Sequence, residues 1–184
     1  MPKIKTSKEE LIEKSLAIFK TNGYPATSIS MLAKACGVEK AHLYYYFKNK
    51  EDLMLEVLLY LKQQASDNIF NIAYNENLEY SDRLEQVLNA LKDFYKEVKL
   101  GCLMTNTILQ TLYERTVFST VAQQFCSELI DCIAHLYQDR YSAKYAIGKA
   151  EQAVQDMYGG LVFAQIYNDD TYLDRALKRI KKKV

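Results

Sequence analysis

Six glycines and two prolines are all the strong turn-formers in 184 residues. An all-β sandwich or barrel needs a turn about every 8 to 12 residues, most of them built on Gly, Pro, Asn or Asp. So little punctuation predicts long helices, with each glycine marking a helix end or a close approach. Hydrophobic residues make up 49% of the chain, and 24 Lys+Arg face 23 Asp+Glu, which excludes a disordered tail, a collagen-like repeat or a low-complexity linker. At about 100 to 200 residues per domain, the length suits one domain, or a small domain leaning on a larger one.

No run of about 18 uncharged apolar residues occurs, and Met1-Pro2-Lys3-Ile4-Lys5 leads into Ser7-Lys8-Glu9-Glu10 with no apolar leader. The expectation is a cytoplasmic protein with no membrane partner. Cys36, Cys102, Cys126 and Cys132 form no C-x-x-C pair, which disfavours a metal knuckle and a disulfide framework. Neither a metal nor a cofactor is expected.

Hydrophobic spacing places the helices. Ser7 and Glu10 make a capping box ahead of Leu11, Ile12, Leu16, Ile18 and Phe19, predicting a first helix from about residue 8 that stops at Gly23. Thr27 or Ser28 can cap a short second helix with Ile29, Leu32 and Ala33, which Gly37 ends. Helical spacing resumes from Val38 through Leu43 to Phe47. Asn49 caps a long fourth helix reaching about Tyr74, and Ser81 caps a fifth whose stripe Leu84, Val87, Leu88, Leu91, Phe94, Tyr95 and Val98 carries it to Gly101. A short helix over Leu103 to Tyr113, a long one from Val117 to near Arg140, another from Ser142 to about Tyr167 and a last one capped by Thr171 complete nine helices and no strand. The predicted class is all-α.

The net charge of +1 conceals an asymmetry. Residues 1–50 hold nine lysines and four acids, +5, while the other 134 residues hold fifteen bases and nineteen acids, −4. A basic first quarter is what a polyanion-binding module carries, although a solvated charged face produces it too. The two short helices flanking Gly37 form a helix-turn-helix, whose second helix enters the major groove. Its outward positions Lys40, His42, Tyr44 and Tyr45 supply donors and flat rings, with Tyr46, Lys48 and Lys50 behind them as phosphate partners.

Together, Ala17 and Phe19 before Gly23-Tyr24, Thr27-Ser28-Ile29 before Leu32-Ala33, Ala35-Cys36-Gly37-Val38, and the run Leu43 to Leu53 (LYYYFKNKEDL) resemble the TetR family of bacterial transcriptional regulators. The resemblance covers about the first 55 residues. It implies a three-helix DNA-binding domain over residues 1–50 and a larger helical ligand-binding and dimerising domain over 51–184. By matching positions it implies base-edge or groove contacts from Lys40, Ala41, His42 and Tyr45, and phosphate contacts from Ser28, Tyr44, Tyr46 and Lys50. For the tyrosines the alternative is packing against the first helix, and for His42 a surface position with no role. Glu39 stands where Ser or Thr is common, and Ala41 where Gly or Pro is common. An acid beside the phosphates leaves the base preference open.

Residues 65–184 carry ten of the fifteen tyrosines and five of the seven phenylalanines. Some of these are core, but a buried phenol needs a partner, and ring-lined cavities with a few polar groups suit small molecules. The resemblance implies an effector pocket, for which Cys102, Met104, Asn106, Tyr113, Phe163 and Tyr167 are the candidates. Gly101-Cys102 resembles a segment in one branch of the family in which the cysteine answers electrophiles or oxidants. The alternative is a buried inert thiol. Gly159-Gly160 inside a helical pattern suggests close helix packing, and the resemblance implies a homodimer with Ala153, Met157, Gly160, Leu161 and Ala164 near the two-fold axis. A two-fold dimer calls for a palindromic double-stranded DNA operator. The basic tail Lys178 to Lys183 reads as a solvated helix end. An enzyme is disfavoured by two histidines, no HExxH and no phosphate-binding glycine loop. A helical protein-binding adaptor leaves the basic helix-turn-helix unexplained.

Overall fold

The computed structural model describes residues 6–97, 100–113 and 117–182, and every regular element among them is helical. The segments are α1 (Lys8–Ala26), α2 (Ile29–Cys36), α3 (Lys40–Tyr46), α4 (Lys50–Ala65), a π-helical turn (Ser66–Phe70), α5 (Asn71–Ala73), α6 (Tyr80–Phe94), α7 (Leu103–Gln110), α8 (Phe118–Tyr137), α9 (Ala143–Tyr167) and α10 (Thr171–Lys182). Since α4, the π turn and α5 follow one another without a break in the chain, they count as one helical segment, and the described residues contain nine helices. The sparse turn residues predict this all-α architecture.

Two compact units arise. The first gathers the described residues of Met1–Leu61 and Leu103–Ala122, and the second those of Lys62–Cys102 and Gln123–Val184. In the first, the capping box opens α1: Ser7 Oγ accepts from the Glu10 N–H at 3.2 Å, and Glu10 Oε2 accepts from the Ser7 N–H at 2.9 Å. The apolar side chains of α1 to α4 then close a core around Leu11, Phe19, Leu32, Leu43, Phe47 and Leu53, each buried. At about 1.5–3 kcal/mol per buried Leu or Phe, this core fixes the mutual orientation of three short helices that would be marginal alone. Gly23, at φ 74°, breaks the helical path of α1 as the sequence predicts, and Pro25 follows in the redirected turn. Phe118, at the start of α8, is fully buried in this unit.

In the second unit α9 packs along α10. Gly160 allows it, because a Cβ there would lie 2.9 Å from the Tyr172 carbonyl oxygen and 3.1 Å from Ala176 Cβ. Gly159 has open space where a side chain would go, so close approach accounts for one of the two glycines. The predicted basic tail is partly paired: Arg179 grips Asp156 at 2.6 and 2.7 Å, and Lys181 meets Glu85 at 3.4 Å. Lys183 lies outside the described residues.

Three helix ends differ from the sequence expectation. The fifth predicted helix, α6, begins with Glu79 as N-cap, Ser81 sitting inside its first turn, and ends at Phe94 instead of near Gly101. Tyr95 turns out of the helix at φ −103°, ψ 18°, and Val98 lies outside the described residues. Thr171 is held, not holding: the Asp169 carboxylate accepts from its N–H at 2.9 Å and its hydroxyl at 2.8 Å. An Asp side chain reaches donors two residues ahead more readily than a Thr hydroxyl reaches its own first turn. These donors hold the Asp169 carboxyl below its usual range. Among the described residues, no helix is long and apolar enough to cross a membrane.

Candidate nucleic-acid interface

The turn between α2 and α3 is built by its glycine. Ser28 caps α2, its hydroxyl accepting from the Met31 N–H at 3.2 Å. At the far end Gly37 adopts φ 70°, ψ 30°, the Gly37 N–H donates to the Lys34 carbonyl at 3.2 Å, and the Val38 N–H to the Ala33 carbonyl at 3.0 Å. This paired closure satisfies carbonyls that the helix end would orphan, and the left-handed residue it needs favours glycine. The chain emerges at Glu39, whose carbonyl accepts from the His42 N–H at 2.9 Å while its side chain makes no capping bond.

One face of α3 is anchored by Leu43 and, just past its end, Phe47, 1% and 2% exposed. The opposite face follows from helix phase: Lys40, Ala41, Tyr44 and Tyr45 stand in solvent, Tyr45 with 79% of its surface exposed. His42 is half-buried, with Nε2 3.3 Å from the Thr6 carbonyl and its ring edge-on to Tyr46 at 5.5 Å, so it lies beside the chain's own N-terminal arm. Tyr46 is half-buried too, in contact with the rings of His42, Tyr45 and Phe47.

Behind α3, Lys48 is exposed and its backbone N–H donates to Asp52 Oδ2 at 2.9 Å, while Asn49 Oδ1 caps α4 through the Asp52 N–H at 2.8 Å. Lys50 is half-buried: Nζ donates to the Tyr24 carbonyl at 2.9 Å and lies 4.2 Å from the centre of the Tyr24 ring. Ser28, Lys40, Ala41, Tyr44, Tyr45 and Lys48 are thus exposed, and His42, Tyr46 and Lys50 partly engaged within the chain. Two residues that carry no site signal in the sequence join this cluster: Tyr24 seats Lys50, and Gln110 Oε1 accepts from the Tyr24 N–H. Gln110 is 86 positions from Tyr24, so no local pattern could have marked it.

The six pocket candidates divide between the two units. In the first unit Met104 is buried, Asn106 half-buried, and Tyr113 99% exposed. In the second, Cys102 is buried directly ahead of α7, with Sγ 4.0 Å from the Tyr95 hydroxyl and 3.8 Å from that of Tyr158; Cys126 Sγ is 3.9 Å from the same Tyr158 oxygen. Burial pushes the Tyr95 and Tyr158 phenols and the Cys126 thiol above their usual ranges, so these three are neutral at pH 7. Phe163 and Tyr167 are exposed on α9 and stack at 6.0 Å, each also facing Tyr172. Phe163 borders a groove of about 360 Å³ with Asp156, Gly159, Gly160, Tyr172, Arg175 and Arg179.

The five positions expected at a two-fold axis, Ala153, Met157, Gly160, Leu161 and Ala164, are all buried within the single chain. The apolar side chains that α9 leaves open are Tyr145, Ile147, Val162, Phe163, Ile166 and Tyr167. Among the described residues no group of three or more His, Cys, Asp or Glu could hold a metal ion.

Residues 11–57, which span α1 to α3 and the start of α4, match the model of bacterial regulatory proteins, tetR family. The chain is 36% identical over 69 residues to the HTH-type transcriptional regulator YuxN of Bacillus subtilis, covering 38% of this chain and 24% of that protein. It is 24% identical over 135 residues to the probable HTH-type transcriptional regulator YttP of the same organism, covering 65% and 64%. The chain thus matches less than two thirds of the length of these relatives. In fold it is similar to a TetR transcriptional regulator from Legionella pneumophila, with a TM-score of 0.85 at 22% identity, covering 97% of each chain. Residues 11–57 thus carry the N-terminal domain of the bacterial regulatory proteins of the tetR family, and the all-helical fold along nearly the whole chain is similar to that of a TetR transcriptional regulator.

Proposed function

We propose that the chain is a cytoplasmic, homodimeric transcriptional regulator without catalytic activity, a repressor that leaves a palindromic operator when a small molecule binds. The observation that carries this reading is the open face of α3, with Lys40, Ala41, Tyr44 and Tyr45 in solvent on a helix whose other side is locked into the core. Such a face suits a major groove, with Lys40, Ala41, His42 and Tyr45 at base edges and Ser28, Tyr44, Tyr46, Lys48 and Lys50 at phosphates. Residues 1–50 read the DNA, and residues 51–184 dimerise and bind the effector, with Cys102, Met104, Asn106, Tyr113, Phe163 and Tyr167 as its contacts. Effector binding shifts a population between operator-competent and released forms.

The test is retention of the DNA flanking the chain's own gene in a gel shift at two salt concentrations with competitor DNA. Saturable retention that survives competitor and weakens steeply with salt is the expected result. Failure there, followed by failure to select any duplex from random sequence, removes the DNA-binding reading.

A further inference from the structure

Tyr24 is seated on three sides within the first unit. Its ring meets Phe118 edge-on at 5.0 Å and 75°, and lies over Phe19 at 6.2 Å and 27°. Its backbone N–H donates to Oε1 of Gln110, the last residue of α7, at 3.1 Å. Gly23 makes that approach possible twice over. It takes the φ of 74° that turns the chain, and a Cβ there would fall 2.7 Å from Gln110 Nε2. Tyr24 in turn seats Lys50 through its carbonyl and its ring, at 2.9 and 4.2 Å.

A lysine stem has four rotatable bonds, and a phosphate must still them before it can hold the ammonium. A carbonyl bond and a π face already fix where the Lys50 charge sits, and both belong to Tyr24. We propose that Gln110 and Tyr24 form a latch that positions Lys50 for a DNA phosphate, so that the seat of α7 sets the strength of that contact. The inference rests on the DNA-binding reading above. Gln110 is a positioning residue: it touches neither Lys50 nor DNA, and acts by holding the Tyr24 backbone. When α7 shifts by more than a hydrogen bond can stretch, the Tyr24 carbonyl is released and the Lys50 charge loses its fixed place. Weakening then applies to any sequence, because phosphate contacts carry no base information.

The experiment is fluorescence anisotropy of a labelled duplex of arbitrary sequence, titrated with the full chain at salt concentrations between 50 and 200 mM. The variants are Lys50→Ala, Gln110→Met, which keeps side-chain length and removes the acceptor, and the double variant. One phosphate contact contributes about 0.9 to the salt slope, so its loss shrinks the drop in affinity over this range by about 3.5-fold per subunit bound. Lys50→Ala and Gln110→Met are each expected to weaken binding and flatten the slope, and Gln110→Met to add nothing once Lys50 is gone. Gln110→Asn, a methylene too short to reach, is the second variant should Gln110→Met fail to fold, and it is expected to behave alike.

A Gln110 variant that weakens binding with the slope intact, or that does equal harm in the Lys50→Ala background, overturns the latch. So does an unchanged slope in Lys50→Ala. Absence of binding by the wild type at 50 mM salt overturns the DNA-binding reading itself and the latch with it, an outcome distinct from the others.

Discussion

Gly37 carries the whole interface on one dihedral angle. At φ 70° with no neighbour within 4 Å of a built Cβ, it is constrained by backbone conformation alone, and steric crowding plays no part. Gly37→Ala is therefore expected to cost about 1–2 kcal/mol, the penalty of an L-residue in the left-handed region. Gly37→Asn is expected to cost clearly less, since Asn tolerates that region. Thermal unfolding of the two variants decides it; equal losses would mean that the turn is not the constraint. Burial writes a second prediction. Cys132 is fully buried in α8, which pushes its thiol from 9.0 up to about 12. The folded state then holds that proton more tightly than the unfolded state, so the stability it confers is complete below pH 9 and declines as the pH climbs from 9 towards 12. Denaturant midpoints at pH 8 and pH 10 should fall further apart for the wild type than for Cys132→Ala. At pH 10 the unfolded tyrosines are about half ionised, and burial raises the Cys36 and Cys126 thiols as well, so the contribution of Cys132 is read only as the difference between the wild type and Cys132→Ala.

Helix beginnings were legible in the sequence where a side chain caps the first turn, but not at Ser81 or Thr171, which cap nothing, and helix stops were less legible, for a physical reason. A start is announced by a local side chain, as with Ser7 and Glu10, Ser28, and Asn49, whose bonds to the first-turn N–H groups all form. A stop such as that of α6 at Phe94 falls inside an unbroken apolar stripe and has no local mark. The π turn at Ser66–Phe70 is equally silent in the sequence. The glycine pair of α9 shows the same limit: the pattern implied close packing without saying which residue makes it. The structure separates them into a direct prediction. Gly160→Ala forces a Cβ against the Tyr172 carbonyl and should lower the thermal midpoint by several degrees, the loss expected of an overpacked contact of about 1–3 kcal/mol. Gly148→Ala, in the same helix with open space around it, should raise stability by about 0.5–1 kcal/mol through helix propensity. If both variants lose stability alike, the close contact is not what holds Gly160.

For the molecule as a whole, the open face of α3 was legible because its outward residues are local in sequence. The seat of Lys50 and the free face of α9 were not, because they depend on helices far apart in the chain and on rotational phase. A turn of 100° per residue puts Ala153, Met157 and Ala164 into the core and leaves Val162, Phe163, Ile166 and Tyr167 outside, with Tyr172 stacked beside them. If the chain dimerises through α9, that outer face is the apolar surface the helix offers, contiguous along two turns and next to Gly159, around which nothing lies within 4 Å. A two-fold interface uses each residue twice, so one buried charge is opposed by its own copy. Phe163→Glu and Ile166→Glu, at positions 48% and 66% exposed in the single chain, should leave the fold intact by circular dichroism. In sedimentation equilibrium at micromolar concentration they should run as monomers where the wild type runs as a dimer. Operator affinity should collapse with the dimer, because two half-sites about 34 Å apart need two linked reading heads. A dimer that persists in both variants would move the interface off this face of α9.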